Sequence, residues 1–179
     1  MADHSGPIPD TSHDPRTTEA AQADMRFVTD INLGTLARWL RILGFDTRFD
    51  RGDMNRDFLR RAQQEGRIVL TRKRKMAGRQ FMGRLAVIEQ DHVRRQLAEV
   101  MEKVGLRIDL DRLYRRCALC NNVLVDVSRQ DVEGLIPDYV YYQSGPFRRC
   151  PGCGKIYWPG DHREKALQFL RQHTPVHLP

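Results

Sequence analysis

The sequence lacks the features of a membrane or secreted protein. No stretch reaches the roughly 18 consecutive apolar residues that a transmembrane helix needs, so we expect no membrane span. The first 24 residues contain acids and prolines but no apolar run, which is unlike a secretory signal. Only four cysteines are present. We therefore expect a cytoplasmic protein whose cysteines stay reduced, and such cysteine pairs more often bind a metal than form disulfides.

Positive charge is what the chain has in excess. Its 30 Lys and Arg residues outnumber its 23 Asp and Glu residues and give a net charge of +7. This balance favours an anionic partner such as nucleic acid, although many basic proteins have none. Of the 179 residues, 40% are hydrophobic, which is enough for one medium domain or for a small domain with an appendage.

Changes in composition divide the chain into four expected parts. Residues 1–24 are polar and contain prolines, which is typical of a disordered leader. Residues 25–110 alternate between short apolar runs and helical periodicity. Residues 111–165 contain all of the cysteines, and residues 166–179 form a C-terminal tail.

The alternating part predicts a parallel sheet with flanking helices. We expect strands at 27–29, 46–49, 68–71 and 85–88, and helices at 33–43, within 50–64 and between 91 and 105.

One carboxylate follows the first expected strand. In an open α/β sheet, binding and active sites lie beyond the carboxyl ends of the strands, so Asp30 could hold a metal ion there. Asp is also a common helix cap, and the position alone leaves both interpretations open. In the helix that follows, Arg38 and Arg41 are three residues apart and share a face that could contact a phosphate backbone.

The four cysteines form two Cys-x-x-Cys pairs with 29 residues between them. Cys117, Cys120, Cys150 and Cys153 can supply four thiolates to one tetrahedral Zn²⁺, which predicts a closed, structural zinc site. Two disulfides or a redox motif are the alternatives, and the expected reducing compartment and the two pairs disfavour them.

Basic and aromatic residues are mixed in the cysteine-containing part. Such a mixture suits single-stranded nucleic acid, because bases stack on aromatic rings while cations follow the phosphates. The alternative is that the aromatic residues form the core of a small ribbon. The residues concerned are Arg115, Arg116, Arg148, Arg149 and Lys155, with Tyr139, Tyr141, Tyr142, Phe147, Tyr157 and Trp158.

Two motifs carry a resemblance to a known family. The first is D-x-N-x-G-x-L-A-R-W-L-R-x-L-G-x-D from Asp30, and the second is F-R-R-C-P-x-C-G-K-I-Y-W-x-G-x-H from Phe147. Together they resemble the Mut-seven C-terminal family, in which a PIN-like ribonuclease domain precedes a zinc ribbon. The resemblance covers about residues 25–165. It implies an α/β fold, a PIN-like small parallel sheet with flanking helices, plus a C-terminal zinc ribbon.

The resemblance also implies a catalytic acidic site. PIN-like nucleases gather three or four carboxylates around Mg²⁺ or Mn²⁺, and Asp30 matches the first of them. Asp50, Asp53 and Asp57 are candidates for the second, and Asn55 stands where an acid is common. Acids at a helix start also suit the helix dipole, so each candidate has an ordinary structural alternative.

The third family acid is replaced in this chain. The family pattern Leu-Thr-Arg-Asp reads here as Leu-Thr-Arg-Lys, so Lys73 removes a ligand and adds a cation beside the expected ion. The surrounding run Arg72, Lys73, Arg74 and Lys75 is the densest basic cluster in the chain, and we expect it to bind phosphates.

These observations lead to two functional hypotheses. The first is a metal-dependent ribonuclease that hydrolyses phosphodiesters of RNA, with Mg²⁺ or Mn²⁺ at the acids and structural Zn²⁺ in the ribbon. We expect its RNA to be single-stranded. The second is a catalytically degenerate RNA-binding protein of the same fold. A zinc-stabilised protein adaptor would leave the basic cluster unexplained. The motifs predict no particular oligomeric state.

Overall fold

A computed structural model describes residues 24–78 and 81–173 of the chain. The strands are β1 (Arg26–Thr29), β2 (Asp46–Phe49), β3 (Arg67–Thr71), β4 (Leu85–Val87), β5 (Val125–Val127), β6 (Phe147–Arg149) and β7 (Ile156–Tyr157). The helices are α1 (Gly34–Ile42), α2 (Arg56–Gln64), α3 (Val93–Val104), α4 (Asp138–Gln143) and α5 (Asp161–His173).

The first four strands form a parallel sheet in the order β2-β1-β3-β4. Strands that follow each other in the sequence are joined through α1, through α2 or, between β3 and β4, through a longer loop, as a parallel sheet requires. The predicted small parallel sheet with flanking helices is therefore confirmed. All of its carboxyl ends lie along one edge, which we call the carboxyl edge; it carries Asp30 after β1, Asp50 after β2 and Arg72 after β3.

The two faces of the sheet carry separate apolar clusters. Because side chains alternate along a strand, Phe27 and Ile68 face one side while Val28 and Val69 face the other. Leucines of α1, α3 and α5 cover the first face, and α2 covers the second. Burial of both faces explains the continuous apolar runs in β1, β3 and β4, whereas β2, at one side of the sheet, is more polar.

Glycines end two of the helices. Gly44 follows α1 with φ of +90° and lies so close to the backbone that an added Cβ would stand 2.6 Å from the Arg112 carbonyl oxygen. Gly105 ends α3 in the left-handed conformation. Helix α3 begins after His92, while Asp91 pairs with Arg72 at 2.6 Å.

The cysteine-containing part forms a second small module, which we call the ribbon. Its strands pair antiparallel in the order β5-β6-β7. Val132, Val140 and Phe147 form a buried cluster beside the cysteines. In the part of the chain that the structure describes, no helix combines the length and the apolar character that crossing a membrane requires.

The module boundaries differ from those expected. Leu113 belongs to the α/β core, so this core extends past the predicted boundary at 110. Helix α5 runs through the predicted boundary at 165, and its Leu170 is completely buried in the same core. The predicted tail therefore begins within a helix whose Leu170 packs in the α/β core. The expected leader lies, up to residue 23, outside the described residues, as do residues 174–179 of the expected tail.

Candidate nucleic-acid interface and metal centre

Asp30 lies at the carboxyl edge with both of its side-chain oxygens in hydrogen bonds. Its Oδ1 accepts from the Asn32 N–H at 2.8 Å, which caps a short 3-10 helix. Its Oδ2 accepts from the Thr71 hydroxyl at 2.7 Å and from the Arg72 N–H at 3.0 Å. The residue is only 1% exposed. The cap interpretation is therefore correct, and the carboxylate also ties the ends of β1 and β3 together.

Met54 contacts the hydroxyl group that binds this carboxylate. Its thioether sulfur lies 3.1 Å from the Thr71 hydroxyl, the same hydroxyl that donates to Asp30. Met54 is itself buried and packs with Val28 and Val69 of the second apolar cluster. The segment between β2 and α2 thus places an apolar side chain next to the hydrogen bond between Thr71 and the buried Asp30 carboxylate.

The other candidate acids have separate surroundings. Asp50 follows β2 as Asp30 follows β1, and its Oδ1 accepts from the Gly52 N–H at 2.9 Å. Asp53 is exposed. Asp57 lies in the first turn of α2, where its 70% exposed side chain pairs with Arg60 at 3.0 Å.

These acids do not come together around one point. Among the side chains that the structure describes, only the four cysteines form a group of three or more His, Cys, Asp or Glu ligands within 4.8 Å of one another. Asn55, which we expected at a family acid position, uses its side chain to cap α2 by accepting from the Phe58 N–H at 2.9 Å. Mg²⁺ and Mn²⁺ need several convergent oxygen ligands. As arranged, the residues of the carboxyl edge do not fit such an ion.

Three of the predicted basic residues line an open groove at this edge. Lys73, Arg74 and Lys75 are exposed, and they border a groove of about 630 Å³ together with Asp53, Met54, Asn55 and Met76. We call it the edge groove.

Arg72 does not line the edge groove. Its guanidinium donates to the carbonyl oxygens of Glu89 and Gln90 and pairs with Asp91, so it fixes the loop after β4. Its neighbour Arg74 pairs with Glu89 at 3.1 Å and remains 80% exposed at the side chain.

Arg38 and Arg41 also have different roles. Arg38 is exposed, as expected for a phosphate contact. The prediction is wrong for Arg41, which is 6% exposed and donates to the Thr47 carbonyl at 2.8 Å and the Leu119 carbonyl at 2.7 Å. Burial lowers the pKa of Arg41, although nearby anionic groups oppose that shift. Because these acceptors belong to both modules, Arg41 fastens the first cysteine pair to the sheet.

Asn121 supplies a second connection between the modules. Its amide accepts from the Thr47 N–H at 2.9 Å and donates to Asp46 Oδ1 at 2.7 Å. Asp46 also binds the Arg67 guanidinium at 2.8 Å. Burial alone would raise the pKa of Asp46, but these two hydrogen-bond donors outweigh it and hold the pKa below its ordinary value of 3.8.

The four cysteines converge as predicted. Cys117 Sγ lies 3.6 Å from Cys153 Sγ, and Cys120 Sγ lies 3.2 Å from Cys150 Sγ. The Tyr157 hydroxyl lies 3.2 Å from Cys117 Sγ. Burial raises the pKa of the Cys117 thiol, but the hydrogen bonds from Tyr157 and from backbone N–H groups outweigh it and lower the pKa to about 6. Four soft thiolate donors with no open position fit a structural metal such as zinc.

Sequence reasoning missed three residues of these sites. In the sequence Met54 is an ordinary apolar residue, and its contact with the Thr71 hydroxyl depends on how the loop between β2 and α2 folds. Asp46 and Asn121 are 75 residues apart in sequence, and no local pattern links them. A buried arginine such as Arg41 is recognisable only from the tertiary contacts that satisfy its donors.

The fold and the cysteine centre define a class: a small parallel α/β domain joined to a metal-binding ribbon. The family model described as the Mut7-C RNAse domain matches residues 25–170, so the chain belongs to that family. The resemblance predicted from the two motifs is thereby confirmed. Membership suggests a nuclease-like role, with RNA as a substrate or partner. Neither the curated proteins nor the solved structures contain a match to this chain.

Proposed function

We propose that this protein binds single-stranded RNA at the carboxyl edge of its sheet and does so without metal-dependent cleavage. The observation that carries the proposal is the position of Lys73. Its exposed side chain lines the edge groove, while its backbone N–H donates to the Thr71 hydroxyl that in turn donates to Asp30. A cation therefore stands where the family has a metal-binding acid.

The charges of the edge groove support an anionic ligand. Lys73, Arg74 and Lys75 face one lining acid, Asp53. Each phosphate that such cations neutralise releases condensed counterions, which is the main source of sequence-independent affinity for nucleic acids. Arg38 is exposed on α1 but does not line this groove.

The ribbon complements this function through its metal. We propose Zn²⁺ as the ion, bound by the four thiolates, with folding of the ribbon as its contribution. The proposal places the protein in the cytoplasm, where reducing conditions keep the thiols available for the metal.

Metal-dependent hydrolysis of RNA is the second candidate. It is favoured by family membership and by the register of the sheet, which puts Asp50 after β2 next to Asp30 after β1. It requires the segment carrying Met54 to move away, so that Asp30 becomes accessible and further acids approach it.

A binding and cleavage experiment separates the two candidates. Fluorescence anisotropy of a labelled single-stranded RNA is measured between low and moderate salt for the wild type and for Lys73→Gln. We expect Lys73→Gln to weaken binding and to reduce the slope of log affinity against log salt by about 1. Arg60→Gln removes the same charge from the outer face of α2 and should change neither quantity beyond the general effect of net charge.

The same RNA is then incubated with Mn²⁺ or Mg²⁺. We expect no cleavage. Cleavage that disappears in Asp30→Asn, while that variant still binds RNA, would replace our proposal with the second candidate. Binding without salt dependence would contradict both.

A further inference from the structure

A second groove lies between the two modules, near the carboxyl-terminal half of α1. We call it the inter-module groove. Its volume is about 840 Å³, within the range of small-molecule sites. Its lining comes from α1, the segment after residue 109, the ribbon and α5, and the lining residues used below are Arg38, Trp39, Asp111, Arg148, Lys155, Tyr157, Trp158, Lys165 and Phe169. None of the proposed edge-groove residues belongs to it.

We propose that the inter-module groove is a second RNA site, in which a base of a single strand stacks between the modules. The proposal rests on RNA being the ligand, and it adds where a base is held and by which residues.

Aromatic rings from both modules line the groove. Trp39 of α1 stacks on Phe169 of α5, with ring centroids 4.0 Å apart and an interplanar angle of 16°. Trp158 and Tyr157 come from the ribbon. Trp39 and Trp158 are the two tryptophans of the chain, and each is partly exposed. Flat aromatic surfaces of this kind are the usual stacking platforms for unpaired bases.

Cations surround these rings. Arg38, Lys155 and Lys165 are exposed at the groove, and Asp111 is the lining acid. Arg148 also lines it, but its charge is paired with Asp126 at 2.9 Å. Because the rings bind bases and the cations bind phosphates, this charge pattern fits a nucleotide unit better than an uncharged apolar segment.

The two grooves lie on different sides of the parallel sheet. Met54 and Met76 of the edge groove pack in the second apolar cluster, whereas α1, which carries Trp39, covers the first face. Arg38 precedes Trp39 on α1 and lines the inter-module groove. The buried Arg41 and Asn121 contacts hold the modules together and so fix the distance between the aromatic walls.

Tryptophan fluorescence tests the proposal without any divalent ion. We would titrate the zinc-loaded full chain with AMP and with a ten-nucleotide single-stranded RNA, and we expect saturable quenching with both. The variants Trp39→Phe and Trp158→Phe then show how much of the quenching comes from the tryptophan of the α/β domain and how much from that of the ribbon. Absence of quenching with both probes would overturn the proposal.

Affinity of the decanucleotide gives the second readout. We expect Trp158→Ala to weaken binding about 5- to 150-fold. The double variant Lys155→Gln, Lys165→Gln changes only exposed side chains, and we expect it to weaken binding as well. It therefore tests the groove even if Trp158→Ala does not fold. Tyr142→Ala removes an exposed aromatic that does not line the groove and should bind like the wild type.

Three results would contradict the assignment. Decanucleotide affinity unchanged in both groove variants would remove the RNA site. Equal quenching by an oligoglutamate peptide would assign the groove to acidic proteins, and a dimer that dissociates in Trp158→Ala would assign it to a second copy of the chain. Failure of the edge-groove proposal can be distinguished from failure of this one. In that case Lys73→Gln would leave RNA affinity unchanged, while AMP would still quench the tryptophan fluorescence.

Discussion

The protein contains two sets of candidate metal ligands, and they differ in whether they converge. The four cysteines lie with all sulfur atoms within 4.8 Å of one another, although 29 residues separate the pairs. Asp30, Asp50, Asp53 and Asp57 lie on neighbouring elements, yet they do not surround a common point. Ligand type and spacing in sequence therefore predict a site well only when the local backbone fixes where each donor points.

Local geometry explains the difference. In each cysteine pair, the two-residue gap forms a tight turn, and backbone bonds such as the Asn121 N–H to the Cys117 carbonyl at 2.9 Å fix the sulfur positions. The acids depend on the loop between β2 and α2, which instead directs Met54 at Thr71. The first arrangement fits a structural metal such as zinc, and the second does not fit a divalent ion bound by oxygen ligands.

Removal of one cysteine should have the largest effect. We expect Cys150→Ser to reduce the zinc content from about one ion per chain to near zero and to unfold the ribbon, because metal-binding energy is folding energy in such modules. Elemental analysis measures the metal, and amide hydrogen exchange follows the ribbon. Leu119→Ala changes an exposed residue between the other two ligands and should retain zinc. Full zinc content in Cys150→Ser would contradict the assignment of the four cysteines as metal ligands, and with it the difference between the cysteines and the acids.

The second-largest effect should come from removing the Arg41 connection between the two modules. Arg41→Ala leaves the Thr47 and Leu119 carbonyls without their donor in a buried site, and we expect a loss of about 2–4 kcal/mol in the free energy of unfolding. Arg38→Ala removes an exposed arginine from the same helix and should cost less than about 0.5 kcal/mol. Urea denaturation measures both. Equal values would mean that the ribbon is not fastened through Arg41.

The Asp46 carboxylate should show a pH-dependent effect. Asp46→Asn weakens the bonds to Arg67 and Asn121 and should cost about 1.5–3 kcal/mol at pH 7. Because the folded pKa of Asp46 is lowered, its contribution is present above its ordinary pKa of 3.8 and is lost as pH falls through the folded value. The difference in stability between the wild type and Asp46→Asn should therefore shrink below about pH 4. A difference that stays constant down to pH 2 would contradict a paired carboxylate.

Much of the fold was predictable because its signals are local. The strands around Phe27 and Ile68, the helix ends at Gly44 and Gly105 and the cysteine centre all follow from short patterns. Leu170 could not be placed in this way, since its burial depends on α5 returning to a core built from the first half of the chain.

The candidate site also combines features that the sequence reveals with features that depend on tertiary contacts. The change to Lys73 is visible in the sequence, and the structure adds that its side chain lines the edge groove. The burial of Arg41 and the contact of Met54 with Thr71 depend on distant segments of the chain, which periodicity and spacing do not reveal.

Binding of Mn²⁺ to the zinc-loaded protein tests the central claim most directly. Electron paramagnetic resonance counts the bound Mn²⁺ while the cysteine centre remains filled with zinc. We predict no site tighter than about 1 mM at the carboxyl edge, because Asp30 is enclosed and the other acids lie apart. About one Mn²⁺ per chain with micromolar affinity, lost in both Asp30→Asn and Asp50→Asn, would contradict this account and establish a metal site at the edge.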